Sequence, residues 1–149
     1  ITGLLFLLVG LVYDKAHTRH IPDLGGLATR MPYIASVFLL AGLASLGLPG
    51  LSGFVAEVLV FLGAFGVWTW PTALAVVGIV LTAGYILWMI QRVFFGPRRE
   101  RFDHINDASA IEAVAPALLA VTIIVVGVYP SVLTDVFKAA LGPMIGARF

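Results

Sequence analysis

The chain has 149 residues, of which 60% are hydrophobic and 11% are charged, and its formal net charge is +1. A soluble domain is nearer half apolar and a quarter charged, so this chain cannot cover itself with polar surface, and lipid is the expected solvent. It contains no cysteine, which excludes disulfide scaffolds, thiolate-bound iron–sulfur clusters and thiol nucleophiles within these residues. The few charges lie between apolar blocks and do not indicate a nucleic-acid partner.

The first apolar segment covers residues 1–13 and ends at Asp14 and Lys15. A helix of that length rises about 20 Å, less than the roughly 30 Å of a hydrocarbon core. The segment has no basic region before it and no small-residue cleavage site, so a signal peptide is not indicated. We interpret it as the second part of an incomplete span and expect the sequence to be a piece of a longer protein.

A second apolar segment, residues 32–66, is too long for one straight membrane helix. Proline removes a helix donor and clashes with the preceding turn, and glycine adds backbone freedom. Such residues are concentrated at positions 47–53, which include Gly47, Pro49, Gly50 and Gly53. The pattern predicts one helix broken at 47–53, or two short spans with a tight turn between them. The more ordinary alternative is a simple proline kink.

Two further spans follow. An uncharged link, residues 67–71, leads to a span over 72–94, and a polar loop, 91–109, leads to a span over 110–129. Acidic residues are favoured at a helix N-terminus, which suits Asp107 and Glu112 at the start of the last span. The tail, residues 131–149, is expected to form one short amphipathic helix and then fray. The apolar face of that helix would carry Val132, Val136, Ala139 and Ala140.

The basic residues distinguish the two arrangements of residues 32–66. The loop 14–31 carries three Lys and Arg, the loop 91–109 carries four, the link carries none and the tail carries two. One interrupted crossing places both basic loops on one side, whereas two crossings place them on opposite sides. Because cytoplasmic loops are enriched in Lys and Arg, the interrupted crossing is favoured, with the basic loops cytoplasmic or on the matrix side. The sequence therefore predicts an all-α membrane protein, a polytopic transmembrane helix bundle with about four spans, the first incomplete and one discontinuous.

Glu57 lies one helical turn after the interruption and is the sole charged residue between Arg30 and Arg92. Broken helices in transporters mark ion or substrate sites, and a charge at bilayer depth is a functional hypothesis by default. Burial opposes the charged form of a carboxyl group, which lets it bind and release a proton near neutral pH. We therefore interpret Glu57 as the residue that transfers protons. The alternative is a structural glutamate paired with a Lys or Arg outside this sequence.

Weaker candidates for the proton path are His17 in the first basic loop and Thr82 and Tyr85 in the third span. Their ordinary roles would be interfacial hydrogen bonding for the histidine and a bond to a neighbouring carbonyl for the other two. No metal-ligand cluster, glycine-rich phosphate loop or nucleophile–base set occurs, so no metal or cofactor site is predicted.

Seven motifs, in order, resemble chain M (chain 4) of proton-pumping NADH–quinone oxidoreductase, respiratory complex I, in the antiporter-like membrane subunit family. They are GLLFLLVG (3–10), YDKAHTR (13–19), GGL (25–27), MP (31–32), LASLGLPG (43–50), GFVAE (53–57) and GVYP (127–130). The resemblance covers essentially the whole chain. It implies that residues 1–149 are the C-terminal part of a proton-translocating transmembrane domain, that 32–66 is the family's second broken helix and that Glu57 is its proton-channel glutamate.

The resemblance also implies proton translocation coupled to electron transfer that other subunits perform. The chain would be a non-redox subunit of a translocase with no catalytic site of its own, and NADH, FMN, iron–sulfur clusters and quinone would belong to other subunits. Its partners would be other complex I membrane subunits, including adjacent antiporter-like chains, and the lipid bilayer. The expected location is the bacterial plasma membrane rather than the mitochondrial inner membrane. The family's first-half residues, and a histidine that would lie just before Ile1, are absent from this sequence.

Two other functions remain open at this stage. Subunits of multisubunit Na⁺/H⁺ antiporters and membrane-bound hydrogenases share the broken helix but often resemble this chain with a lysine in place of Glu57, so the glutamate favours chain M. A single carboxylate among apolar residues also makes a poor sodium cage. A purely structural membrane anchor is the third hypothesis, and an embedded acid beside a broken helix argues against it.

Overall fold

The computed structural model describes residues 1–146, with side chains described through residue 140 apart from Lys138. This part of the chain is all-α, without strands, as predicted. Short 3₁₀ turns occupy the two polar loops, at Ile21–Asp23, Leu27–Thr29 and Glu100–Phe102. The helices are α1 (Thr2–Ala16), α2 (Pro32–Ser45), α3 (Ser52–Phe65), α4 (Thr69–Phe94), α5 (Ala110–Val128) and α6 (Ser131–Gly146).

The helix ends differ from the predicted ends where polar residues continue a helix. Helix α1 runs three residues beyond the predicted 1–13 and ends at a left-handed His17, whose amide donates to the Tyr13 carbonyl oxygen at 2.7 Å. Lys15 in the last turn is compatible with the negative end of the helix dipole. Helix α4 begins at Thr69, within the predicted uncharged link. The limit of an apolar run is thus not the limit of the helix.

The tail helix is longer than predicted. Helix α6 extends over Ser131–Gly146, and the predicted apolar face is not covered by the described residues, since Val132 and Val136 are exposed. Part of the predicted frayed end, residues 147–149, lies outside the described residues.

The two basic loops meet at one end of the bundle. A methyl group on Gly25 would lie 2.7 Å from the Pro97 carbonyl oxygen, so the loop backbones are in direct contact. Arg99 donates from Nη2 to the Pro22 carbonyl oxygen at 2.8 Å. Lys15 forms an ion pair of 3.1 Å with Glu112, which joins α1 to α5. The arrangement agrees with the charge pattern, which places both loops on the same side.

Asp103 pairs with arginines from both loops. Arg98 donates to Oδ1 from Nε at 2.9 Å and from Nη2 at 2.8 Å, and Arg30 Nη2 lies 3.2 Å from the same oxygen. The hydrogen bond from Arg98, with that from Arg30, holds the pKa of the Asp103 carboxyl below its usual value. This contribution to stability is therefore present above the unfolded-state pKa and is lost as the pH falls through the folded-state value.

Asp107 caps a helix other than the one that it precedes in sequence. Its carboxylate accepts from the Tyr33 amide at 2.6 Å and from the Ile34 amide at 3.3 Å, and so satisfies two free donors in the first turn of α2. The expectation that Asp107 supports the start of α5 was wrong. Ser109 and Glu112 supply that cap through a capping box.

Helix α2 is buried at the end of the bundle where the two basic loops meet. The Phe38 and Phe94 rings lie 5.0 Å apart between α2 and α4. A methyl on Gly42 would lie 2.7 Å from Ile90 Cδ1, so α2 and α4 approach closely there. Side chains that are almost completely buried in this core include Leu4, Leu8, Leu27, Met31 and Ile34.

Two helices, α4 and α5, are long and apolar enough to cross a membrane by length and composition. The most apolar 18-residue stretches of α4 and α5 are 11% and 17% buried inside the described structure. Neither helix therefore resembles the enclosed core helix of a soluble protein. Helices α2 and α3 are apolar but shorter.

Because the two basic loops are in contact, we predict that they lie on the same side of the membrane in the full-length protein. In a cysteine-free background, replace His20, His104 and Val67, which are exposed, with cysteine one at a time. A membrane-impermeant thiol reagent should label positions 20 and 104 from the same side and position 67 from the other. Labelling of positions 20 and 104 from opposite sides would contradict the arrangement.

Asp107→Ala should destabilise the start of α2, because two helix amides lose their acceptors. Loss of an N-terminal cap costs about 0.5–2 kcal/mol, so the unfolding temperature of the purified full-length protein should fall. Asp107→Asn keeps one acceptor oxygen and should give a smaller effect. Asp14→Ala, at an exposed acid of the same end, is the control. Equal unfolding temperatures for Asp107→Ala and the control would rule out the cap.

Candidate functional site

Helix α2 ends at a closed hydrogen-bonded turn. Gly47 has φ +69°, and its amide donates to the Ala44 carbonyl oxygen at 3.3 Å, while the Leu48 amide donates to the Leu43 carbonyl oxygen at 3.1 Å. These two bonds and a left-handed residue at this position define the Schellman motif, which stops a helix and satisfies its last carbonyls. Pro49 follows, and it cannot continue a helix.

Helix α3 starts again after six residues, 46–51, that belong to neither helix. Leu51 is extended (φ −115°, ψ 156°), and its amide donates to the Leu48 carbonyl oxygen at 3.1 Å in a turn. Gly50 has φ +91°, a conformation that glycine adopts without a steric penalty. The interruption is therefore a true break between two helices, and a simple proline kink is excluded.

The two half-helices run in the same direction. Gly53 lies against Ala44, because a methyl there would be 3.1 Å from the Ala44 carbonyl carbon. One turn further along α3, the Glu57 carboxyl lies against Gly47. Helix α4 runs opposite to α2, because residue 38 of α2 faces residue 94 and residue 42 faces residue 90. Helix α4 also packs against α3 after the short turn at residues 66–68, so it runs opposite to α3 as well. Helix α3 thus continues the direction of α2 from a starting point beside its last turn.

Glu57 is half-buried, and its carboxyl group lies beside the break. A methyl on Gly47 would be 2.9 Å from Cδ and 3.3 Å from Oε1 of this glutamate, and closer still to Oε2. Among the described residues, no ion pair or hydrogen bond to this carboxylate is present. The acid therefore faces the helix break rather than any basic side chain that the structure describes.

The other break residues have distinct places. Pro49 and Gly50 lie exposed in the linker between the half-helices. Gly53 brings the backbone of α3 into contact with the Ala44 carbonyl group of α2, and Ile1 Cδ1 would be 3.4 Å from a methyl there. Ile1, which directly precedes α1, is thus also at the level of the break. An open groove of about 270 Å³ lies along α2 beside the linker and is lined by Ser36, Leu39, Leu40, Leu43, Leu48, Pro49, Gly50 and Leu51.

The weaker candidates do not join Glu57 in the described structure. His17 is exposed at the far end of α1, about 24 Å from the level of Ile1 at 1.5 Å per residue. Thr82 donates to the Gly78 carbonyl oxygen at 2.9 Å within α4, the ordinary role considered for it. Tyr85 is 61% exposed on α4. Their place in a proton path stays a prediction.

Sequence reasoning missed the part that α5 plays. Gly127 lies directly against the Gly50 carbonyl oxygen and the Leu51 backbone, so that a methyl group would not fit. The glycine belongs to the GVYP motif (127–130), but its contact with the linker is not visible from the sequence. The available signal was a small residue within a long apolar helix, since small residues let membrane helices approach closely.

These features define a class: all-helical proteins with apolar membrane spans, in which two consecutive apolar helices are separated by a short break with an acid beside it. Residues 1–82, which include the break and Glu57, match the family model described as NADH:quinone oxidoreductase/Mrp antiporter, transmembrane. The chain belongs to this family.

The relatives agree with this assignment. The chain is 44% identical over 97% of its length to NADH-quinone oxidoreductase subunit M of Rhodobacter capsulatus, and 38% identical over 95% to a chain 4 of NAD(P)H-quinone oxidoreductase of a Synechococcus strain. In each case the chain spans 28% of the relative. In a structure of respiratory complex I from Thermus thermophilus with bound NADH, 26% of one chain matches 84% of this chain, with a TM-score of 0.77 and 36% identity.

The close approach at Gly53 predicts an effect on assembly. Gly53→Ala should push α3 away from the last turn of α2, and overpacking of this kind costs about 1–3 kcal/mol. The matched control is Gly63→Ala in the same helix, because a methyl at Gly63 would meet no atom within 4 Å. We expect less assembled full-length protein in membranes, and a lower unfolding temperature, for Gly53→Ala alone. Equal amounts and equal stabilities for the two variants would refute the contact.

Proposed function

We propose that this chain is the C-terminal part of a proton-translocating, antiporter-like membrane subunit of an NADH:quinone oxidoreductase, and that Glu57 transfers protons within it. The proposal is carried by the position of Glu57, a carboxyl group on an otherwise uncharged apolar helix, lying against the point where α2 ends. We further propose that α2 and α3 form one interrupted crossing. Their common direction and the meeting of the basic loops at one end of the bundle support this.

Helix ends of opposite polarity lie close to Glu57. The C-terminal end of α2 carries partial negative charge, and the N-terminal end of α3 carries partial positive charge. Glu57 stands one turn into α3 and touches Gly47, which directly follows the last turn of α2. A wholly apolar pocket would tolerate the neutral carboxyl alone. The partial positive charge favours the ionised carboxylate, and the partial negative charge favours the protonated carboxyl. Together they support a group that must exist in both protonation states.

The exposed linker supports a hydrated or protein-covered path. Residues 48–50 are exposed in the described structure. At membrane depth, irregular backbone is tolerated where it is buried in protein or lines a water-filled cavity. We propose that helices outside this segment cover the groove and that water joins Glu57 to the next titratable group of the full-length protein.

The electron-transfer chemistry would then lie elsewhere. We propose that this segment acts as a non-redox part of the translocase, and that NADH, FMN, iron–sulfur clusters and quinone bind to other subunits. Its partners would be other membrane subunits of the complex, with adjacent antiporter-like chains among them, and its location the bacterial plasma membrane. The 44% identity to a Rhodobacter capsulatus subunit and the match to a complex I chain support this placement.

The family description also names an Mrp antiporter, and a subunit of a Na⁺/H⁺ antiporter is the second candidate function. The relatives compared above are named as quinone oxidoreductase chains, which favours the redox-driven pump. Within the part of the chain that the structure describes, no cluster of three His, Asp or Glu side chains is positioned to hold a cation. Sodium-independent proton pumping by the full complex would agree with the first function and not with the second.

Glu57→Gln in the intact complex should block proton passage, because the amide keeps the shape but cannot change charge. Coupled quinone reduction should fall with it. Glu57→Asp keeps a titratable group one methylene shorter and should retain partial activity. Glu57→Lys also titrates, and related antiporter-like chains resemble this one with lysine here, so Lys should retain some function where Gln does not.

Turnover must be normalised to assembled complex, because a structural ion pair would give a different pattern. If Glu57 were structural, each substitution would reduce the amount of complex, and activity per complex would stay at the wild-type value. Full normalised pumping by Glu57→Gln would remove this residue from the proton path.

A further inference from the structure

Gly47 meets two separate requirements. Its left-handed conformation, φ +69°, closes the end of α2, and glycine is the residue that adopts this conformation without a steric penalty. Its missing side chain also leaves the space that the Glu57 carboxyl occupies, since a methyl would overlap Oε2 and lie 2.9 Å from Cδ. The first requirement explains a glycine at the end of a helix. The second concerns the acid ten positions further along the chain.

We propose that Gly47 is a positioning residue for Glu57: its bare Cα is the surface against which the carboxyl is held at the end of α2. The expected effect on pumping rests on the proposed function, whereas the contact between Gly47 and Glu57 does not. The carboxyl group occupies the space that a side chain at residue 47 would take, and this neighbourhood restricts the rotamers of the glutamate. The side chain is thereby directed toward the helix break rather than outward along α3.

A side chain at position 47 would displace the acid rather than the backbone. The α2 end is fixed by the two hydrogen bonds of its closing turn, and α3 is fixed against Ala44 through Gly53. The flexible element at the contact is the glutamate side chain, so a methyl group should rotate the carboxyl away. A displacement of about 1 Å at a reacting group is enough to lower a rate on the order of 100-fold.

Gly50 offers a matched control. It lies in the same linker and also has a positive φ, +91°, so alanine there meets backbone strain as well. A methyl on Gly50 would nevertheless meet no atom within 4 Å. Gly47→Ala and Gly50→Ala therefore differ in whether the new methyl meets the Glu57 carboxyl.

The experiment uses the intact complex and normalises pumping to assembled complex. We expect Gly47→Ala to lower normalised pumping at least about tenfold relative to Gly50→Ala. Glu57→Asp withdraws the carboxyl by one methylene and should relieve the overlap. Adding Gly47→Ala to Glu57→Asp should therefore cost less than about twofold, a non-additivity expected of residues in contact. Equal pumping by the two alanine variants, or full additivity with Glu57→Asp, would overturn the proposal.

Infrared difference spectroscopy separates this proposal from the proposed function. The carboxyl band of Glu57, identified by its loss in Glu57→Gln, should shift in Gly47→Ala and stay in place in Gly50→Ala. If Glu57→Gln pumps normally while this shift is seen, the proton-transfer role fails and the positioning contact stands. If Glu57→Gln blocks pumping and the band does not shift in Gly47→Ala, the positioning role fails and the proton-transfer role stands.

Discussion

The arrangement of this segment depends on one constraint, that a backbone interrupted inside an apolar segment must still find partners for its polar groups. The closing turn at Gly47 meets this constraint for α2 by returning the amides of residues 47 and 48 to the carbonyls of the last helical turn. Because α2 stops there without unravelling, α3 can start beside it and run in the same direction. The position of Glu57 against the break follows from that geometry, as does the contact of Gly127 with the linker.

Close backbone approach, rather than burial of large side chains, holds the break together. Gly53 touches Ala44, and Gly127 touches the linker. Lipid gives little hydrophobic drive for helices to associate, so membrane helices gain contact energy by bringing their backbones together at small residues. The acid of α3 lies beside the point where these backbones meet, with its carboxyl group against Gly47.

The two ends of the segment differ in how they are stabilised. At the basic end, charged and polar groups join elements that are distant in sequence, as in the pairs Lys15–Glu112 and Arg30–Asp103 and the capping of α2 by Asp107. Toward the turn at residues 66–68, α3 and the first half of α4 expose most of their apolar side chains. Helix α2 is thus well packed up to its last turn. The break that follows it lies at a face that the described residues leave exposed. That asymmetry suits a site completed by other helices of a full-length protein.

The sequence by itself determined the helical class, the place of the break and the identity of the embedded acid. Each follows from local chemistry: apolar runs with few charges, a proline among glycines, and one carboxyl group in an apolar helix. Tertiary structure decided that the half-helices are parallel, that Asp107 caps α2 rather than α5, and that the Glu57 carboxyl rests on Gly47. These features rest on contacts between residues that are separated along the chain. Composition and periodicity show which face of a helix is apolar, but they do not show which part of the chain will pack against that face.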